Sequence, residues 1–450
     1  MADMPTSAQL LAEMKLLHPL LIDLSLGRVE RLLAKLGNPH RSLPPCVHVA
    51  GTNGKGSVTA FLKSMLEEAG ARVHVYTSPH LVRFHERIEL AGSNGKAAPI
   101  GEESLIDVLT RTQAVNGNDD ITQFEITTAA AFLAFSERPA DVLLLEVGLG
   151  GRLDATNVIA NPALCIITSI SLDHSDKLGG SLGEIAYEKS GILRHDVPVV
   201  VSQQEPEAEE VIRVEVNRVG ARLVAWGEHF DAYEQRGRLV VQAQDELLDL
   251  PLPALTGRHQ IINAGTAVAA ALELRASHPA LGLDERAMEQ GLVQVRWPAR
   301  MQRLDRGPLP SLLNPGSELW LDGGHNPAAG SALAQTLADL EERAPKPVYL
   351  MVGMMGLKDS DGFLSPFRGL VRSVVTVPIP RAHETPHAPE TLAETARSVG
   401  LEAECSSDIE SALKRIDHME PGAKRILICG SLYLAGHVLA LQDGVEPQVN

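Results

Sequence analysis

The residues whose types and spacing could do chemistry begin with His48-Val-Ala-Gly51-Thr52-Asn53-Gly54-Lys55-Gly56-Ser57. Glycines at 51, 54 and 56 let the backbone curl with its N–H groups turned inward, Lys55 adds a point charge, and hydroxyls stand at 52 and 57. That combination suits phosphate. The general P-loop pattern G-x-x-x-x-G-K-[ST] is not met, because Val49 stands where its first glycine belongs and Gly56 separates Lys55 from Ser57. The loop is therefore a variant, and its plain alternative is an ordinary strand-to-helix turn.

Two further groups carry possible ligands. Glu146 ends the apolar run Asp141-Val-Leu-Leu-Leu-Glu146, and a strand-end carboxylate can hold Mg²⁺ beside phosphates or simply cap a neighbouring helix. The following Gly148-Leu-Gly150-Gly151 invites a dinucleotide-binding reading, but Leu153 occupies the last glycine position of that fingerprint. In Ser171-Leu-Asp173-His174-Ser-Asp176 a histidine sits between two aspartates, as a metal ligand or as a structural side chain. Glu188-Lys189, judged on composition, is a solvated charge pair.

These residues need elements to position them. Helical periodicity covers residues 8–37, interrupted by a turn or ligand-facing loop at Ile22-Asp23-Leu24-Ser25-Leu26-Gly27. The phosphate loop should join a strand to a helix over Val58–Ala69, whose N-terminus would aim partial positive charge at the same place. A strand Arg72–Tyr76 then delivers Ser78, because ligands on parallel sheets gather at the carboxyl ends of strands. After a polar insertion at 92–101 comes a helix from Glu102. Thr122-Gln123-Phe124-Glu125 opens an alanine-rich buried helix to Phe135. Strands are expected at 141–146, 164–169, 197–202 and 221–226, with helices at 183–191 and 207–220, hairpins over 228–252, and helices at 263–276 and 284–293.

Composition shifts at Arg296-Trp-Pro-Ala-Arg300-Met-Gln302, which divides the chain into residues 1–296 and 297–450. The second part alternates again. Strands near Glu318–Asp322, Val348–Gly353, Ser373–Val377 and Arg425–Gly430 are separated by helices from Pro327, Phe363, Pro389 and Ile409. The fold class is α/β: a large, mostly parallel P-loop-type ATPase domain followed by a smaller Rossmann-like open α/β domain. Asp322-Gly-Gly-His325 and Gly430-Ser-Leu-Tyr433 would face a cleft, from which a nucleotide could be closed upon.

A chain of 450 residues with 44% apolar and 22% charged residues is a globular protein of more than one domain. The formal charge of −17 excludes a basic footprint for nucleic acid or anionic membrane. Four cysteines without a C-x-x-C pair suggest neither a zinc knuckle nor a disulfide framework, and a reducing cytoplasm fits. No run approaches the length of a membrane span, and no basic segment followed by an apolar core opens the sequence.

AGTNGKGS (50–57), TSPHLVRFHERI (77–88), FE (124–125), LLEVGLGGRLDATN (144–157), TSISLDHSDKLG (168–179), EKSGI (188–192), GRHQIINA (257–264), WPARMQ (297–302) and DGGHNP (322–327) occur in this order. Together they resemble the Mur-ligase superfamily, and within it the folylpolyglutamate synthase and dihydrofolate synthase family. The resemblance implies an ATP-dependent amide ligase that adds L-glutamate to dihydropteroate or a reduced folate through an acyl phosphate. It implies ATP contacts from Thr52, Asn53, Gly54, Lys55, Gly56 and Ser57, from Asn263 and Arg300, and from Asp322. One Mg²⁺ would be held through Ser78 and Glu146 and a second through His174 with Glu146. Lys189 would be carbamylated, which turns an ammonium into an anionic ligand, so that Lys55, Glu146, His174 and Lys189 form the catalytic set.

Acceptor binding would fall to Asp23, Leu24, Ser25 and Leu26, to Thr122, Gln123, Phe124 and Glu125, and to Leu153, Asp154 and Ala155. The first two segments point to a member that accepts dihydropteroate, hence a bifunctional enzyme acting as a cytoplasmic monomer. Ala299 and Gly324 are small departures from the pattern. Alternatives are a monofunctional folylpolyglutamate synthase, a muramyl-peptide ligase, or a non-catalytic nucleotide-binding regulator, which would not need the two-metal set.

Overall fold

The structure is a computed structural model, and it describes residues 5–18, 24–243, 246–380 and 385–448. Asp23 lies outside them. Two compact units are present. The first comprises Met1–Ser78, His85–Ala254 and Ile261–Val295, and the second comprises Pro79–Phe84, Leu255–Gln260 and Arg296–Asn450.

The first unit is built on an eight-stranded sheet. Its strands are β1 (Cys46–Ala50), β2 (Val73–Tyr76), β3 (Ile88–Ala91), β4 (Ala97–Pro99), β5 (Val142–Glu146), β6 (Leu164–Ile167), β7 (Pro198–Val201) and β8 (Arg222–Ala225), in the order β4-β3-β2-β5-β1-β6-β7-β8. From β2 to β8 every pairing is parallel. Only β3 and β4 run antiparallel, at one edge, and β4 falls within residues 92–101, which read in the sequence as a polar insertion. Burial on both faces explains why β1 and β5 are apolar without alternation: all five residues of each are buried.

The helix after the loop runs Lys55–Glu68, starting three residues before the expected Val58. Gly54 takes φ +89° and completes the turn, so Lys55, Gly56 and Ser57 are already helical. The alanine-rich helix spans Gln123–Ser136 and begins with a capping box, in which the Thr122 side chain accepts from the Glu125 N–H and the Glu125 carboxylate accepts from the Thr122 N–H. A further long helix, Arg258–Ser277, starts five residues before Asn263.

Strands β9 (Phe230–Gln235), β10 (Arg238–Ala243) and β11 (Glu246–Pro251) form a separate antiparallel sheet. Arg236 and Gly237 join the first two, both with positive φ, as a two-residue hairpin turn requires.

The second unit carries a six-stranded sheet of β12 (Gln302–Arg303), β13 (Glu318–Leu321), β14 (Val348–Val352), β15 (Ser373–Thr376), β16 (Ala403–Cys405) and β17 (Arg425–Cys429), ordered β12-β13-β17-β14-β15-β16. All pairings are parallel except that of β12 with β13. Side chains alternate between two cores: Leu319, Leu321, Met351 and Ile428 enter one, and Trp320, Leu350, Val352 and Leu427 the other. The short β12 and β16 and the helix Leu432–Asp443 escaped the sequence reading. Among the described residues no helix is long and apolar enough to cross a membrane.

Candidate active site

Neighbouring strands β2, β5, β1 and β6 are parallel, so the residues that follow them emerge at one sheet edge. These are Ser78, Glu146, the 51–57 loop and the 168–174 segment. Glu146 is the register partner of Val49, two residues before the loop begins, and is buried. The topology thus gathers the expected phosphate and metal residues at the carboxyl ends of adjacent strands.

The loop is pinned from two sides. Thr52 and Asn53 donate backbone N–H groups to Ser169 O at 2.9 and 3.2 Å. The Thr52 hydroxyl donates to Ser171 O at 3.1 Å, and Asn53 Nδ2 donates to Ser171 Oγ at 3.0 Å. Gly51 and Gly54 cannot carry a side chain here: a Cβ on the first would overlap Thr168 and one on the second would overlap Asn263 Oδ1. Asn263 therefore backs the loop directly, which brings this expected ATP residue to the site.

Two lysines converge on one carbonyl. Lys55 Nζ donates to Gly51 O at 3.0 Å and to Thr52 O at 3.3 Å, while Lys189 Nζ donates to Gly51 O at 2.8 Å. Lys189 is 4% exposed, so the solvated charge pair read from composition is replaced by a buried amine. Burial and the charge of Lys55 push its pKa down to about 7, against an upward pull from Asp173 and Asp154. A large neutral fraction at neutral pH follows.

Lys189 belongs to the helix Leu182–Ser190, which the glycine-rich segment after β5 holds in place. A Cβ on Gly151 would lie 2.8 Å from Glu188 O and 2.9 Å from Lys189 O, so only glycine allows that approach. Arg152 donates its N–H to Glu188 O at 2.8 Å and pairs with the Glu188 carboxylate at 2.7 Å. Asp154 is buried and accepts from Leu149 N, Thr156 N and the Thr156 hydroxyl, and burial raises its pKa. Because Thr156 donates to Asp154, it accepts from His48 Nε2–H at 2.9 Å. His48, a central-strand residue with no role in the sequence reading, is thereby neutral, its pKa pushed down to about 3 by burial and then by Arg194.

His174 takes φ +50°, a left-handed conformation uncommon for a side-chain-bearing residue, and receives the start of the short helix Ser175–Leu178. Its side chain is 41% exposed, 4.0 Å from Asp173 Oδ1. Strand-end Glu146 and the Ser78 hydroxyl are hard oxygen donors that fit Mg²⁺, and His174 adds a nitrogen donor. Among the described residues no three His, Cys, Asp or Glu side chains converge as a self-sufficient metal site.

Of the expected acceptor residues, Leu24 packs against the same apolar cluster as Leu149 and Leu182. Phe124 lies over Gly148, whose Cβ would overlap its ring. Gln123 Nε2 donates to Leu11 O at 3.0 Å. Leu153 is half-buried and Ala155 buried beside Asp154. Ser25 and Leu26 are half-buried just before the helix Gly27–Lys35. Arg28, which no motif reading singled out, pairs with Glu125.

In the second unit Asp322, at the end of β13, accepts Met301 N and Gly324 N, each at 2.7 Å, and so fixes the turn in which Ala299 and Met301 have positive φ. Arg300 Nη1 donates to Ala299 O at 2.8 Å. His259 is half-buried nearby, its pKa lowered by desolvation against the pull of Asp322.

Comparison with known proteins gives the family. Residues 49–271 match the Mur ligase middle domain, and residues 300–432 the Mur ligase glutamate ligase domain. The dihydrofolate synthase/folylpolyglutamate synthase of Bacillus subtilis is 32% identical over 92% of this chain and 94% of its own. The protein of the same description from Escherichia coli is 32% identical over 97% and 95%. The structure of E. coli FolC in complex with DHPP and ADP superposes with a TM-score of 0.85, at 31% identity and 98% coverage of both chains. The chain therefore belongs to the dihydrofolate synthase and folylpolyglutamate synthase family of Mur ligases, ATP-dependent ligases that join glutamate to folates.

Proposed function

We propose that this site activates the carboxylate of dihydropteroate, and of reduced folates, with ATP and joins it to L-glutamate. One observation carries the reading: a buried amine, Lys189, and a phosphate-loop lysine, Lys55, share the Gly51 carbonyl at the sheet edge that also presents Glu146. A carboxylate oxygen of the acceptor attacks the γ-phosphorus and ADP departs, leaving an acyl phosphate. The amine of glutamate then attacks the acyl carbon and expels phosphate as it gives up a proton.

On this reading the N–H groups of Thr52–Ser57 and the Lys55 ammonium bind the phosphates, with Asn263 behind the loop. Ser78, Glu146 and His174 would hold Mg²⁺, which supplies charge neutralisation on the transferring phosphoryl group. Lys189 would carry a carbamate and serve a second ion; its partial neutrality suits it to capture CO₂, since only the free amine is nucleophilic. Leu24–Leu26, Thr122–Glu125 and Leu153–Ala155 would receive the acceptor, and Arg300 and Asp322 are assigned to ATP. On this reading a single chain is the catalytic unit.

The test is a ligation panel with ATP, L-glutamate and either dihydropteroate or tetrahydrofolate, read by product mass. Products heavier by one glutamate from both acceptors are expected. Phosphate release at the same rate without acceptor or glutamate would overturn the reading, and product from tetrahydrofolate alone would make the enzyme monofunctional.

A further inference from the structure

We propose that Arg28 is a positioning residue for the acceptor, locking together two chain segments that receive it. The inference rests on the assignment of Leu24–Leu26 and Thr122–Glu125 to acceptor binding.

Glu125 is 3% exposed, and its carboxylate accepts three hydrogen bonds from protein. Oε2 accepts from Thr122 N at 2.8 Å and from Arg28 Nε at 2.9 Å, and Oε1 accepts from Arg28 Nη2 at 3.0 Å. The guanidinium thus grips the carboxylate with both prongs of its fork, a geometry lysine cannot reproduce. Within the Thr122–Glu125 segment, Glu125 thus serves the acceptor by holding its neighbours in place.

The fork bridges residues 97 apart in sequence. Arg28 is the second residue of the helix Gly27–Lys35, entered directly from Leu24–Leu26. Glu125 is the third residue of the helix Gln123–Ser136, whose Phe124 covers Gly148 beyond β5. Cation placement at a helix N-terminus opposes the helix dipole, and Leu26 offers no side-chain cap to compensate. Arg28 therefore does nothing for the start of its own helix unless it is paired. Its pairing with a buried carboxylate fixes where that helix begins, and with it the exit of the Leu24–Leu26 loop, relative to Phe124.

Loosening this link should be felt by the acceptor and not by the nucleotide, whose loop is pinned separately to Ser169 and Ser171. Kinetics of the full chain with Arg28→Ala, Arg28→Lys and Glu125→Gln test this. Arg28→Ala should raise KM for dihydropteroate about tenfold or more while KM for ATP stays within about twofold, and Arg28→Lys should recover part of the loss. Arg28→Ala added to Glu125→Gln should cost little further. Hydrogen exchange in the same variants should quicken at residues 24–30 and 122–128 together and not at 52–57.

An unchanged acceptor KM in Arg28→Ala, or equal rises for acceptor and ATP, would overturn the inference, as would exchange that quickens in only one segment. A wild-type enzyme that ligates neither acceptor would overturn the acceptor assignment instead, and would show it before any substitution is made.

Discussion

The side-chain amines of Lys55 and Lys189 donate to the same oxygen, the carbonyl of Gly51, at 3.0 and 2.8 Å. Two full positive charges that close repel, and the buried member yields: Lys189 titrates at about 7, through burial first and Lys55 second. The arrangement places a nucleophilic amine beside the Lys55 side chain, whose charge can balance that of a carbamate. Carbamate formation should therefore rise as pH increases through about 7, which a carbonyl signal from ¹³C-bicarbonate can follow. Lys55→Met removes the repulsion, raises the pKa of Lys189 and should move the midpoint to higher pH. An unmoved midpoint would disconnect the two lysines.

Lys189→Met should nearly abolish ligation while stabilising the protein. Its folded pKa of about 7 lies below the ordinary 10.5, so between those values the unfolded chain binds the extra proton and stability rises with pH. The burial cost is full below pH 7 and is gone above about 10.5. In bicarbonate-free buffer the variant should gain about 1–2 kcal/mol at pH 6, fading towards pH 10, by thermal unfolding. Turnover should fall by about a thousandfold, and added short carboxylic acids should restore part of it. A variant with wild-type turnover would remove the carbamate from the mechanism.

Glu318, at the opposite end of β13 from Asp322, should contribute to stability in a pH-dependent way. Burial alone would raise its pKa, but hydrogen bonds from Lys346, Arg425 and Trp320 outweigh this and hold it at about 2. Its stabilisation is complete above the ordinary 4.5 and is lost as pH falls through about 2. Glu318→Gln leaves the buried Arg425 without that partner, and should cost about 2–3 kcal/mol at pH 7 and progressively less on acidification. Unfolding curves at pH 7 and pH 3 give the comparison.

How much of this was legible in the sequence depends on whether the signal was local. Strands β1 and β5 show as unbroken apolar runs because both faces are covered, and Glu146 and the 51–57 loop follow from where those runs stop. The helix start at Lys55 was misplaced because Gly56 reads as loop, whereas the single left-handed Gly54 completes the turn. Helix Arg258–Ser277 was begun late for the same kind of reason: Arg258-His259-Gln260 is polar and carries no apolar period. Lys189 looked solvated, since one residue beside a glutamate says nothing of what a glycine at 151 lets pack over it. His48 with Thr156, and Arg28 with Glu125, are pairings across long sequence separations that no spacing rule reaches.

Glu146→Gln separates metal holding from nucleotide holding. The substitution keeps the shape of a buried side chain at the end of β5, opposite Val49, and removes only its charge. Nucleotide phosphates are assigned to the loop N–H groups and Lys55, none of which depends on that charge, so ATP affinity without Mg²⁺ should stay within about twofold. Divalent-ion affinity depends directly on it, because Ser78 is neutral and a hard cation prefers a carboxylate. The Mg²⁺ concentration for half-maximal turnover should therefore rise about tenfold or more, and kcat at saturating Mg²⁺ should fall by about two orders of magnitude. Titration of turnover with Mg²⁺, beside ATP binding measured in its absence, reads both. An unchanged Mg²⁺ requirement would show that Glu146 is a structural carboxylate, and would leave Ser78 and His174 without the charged partner that the proposed metal site requires.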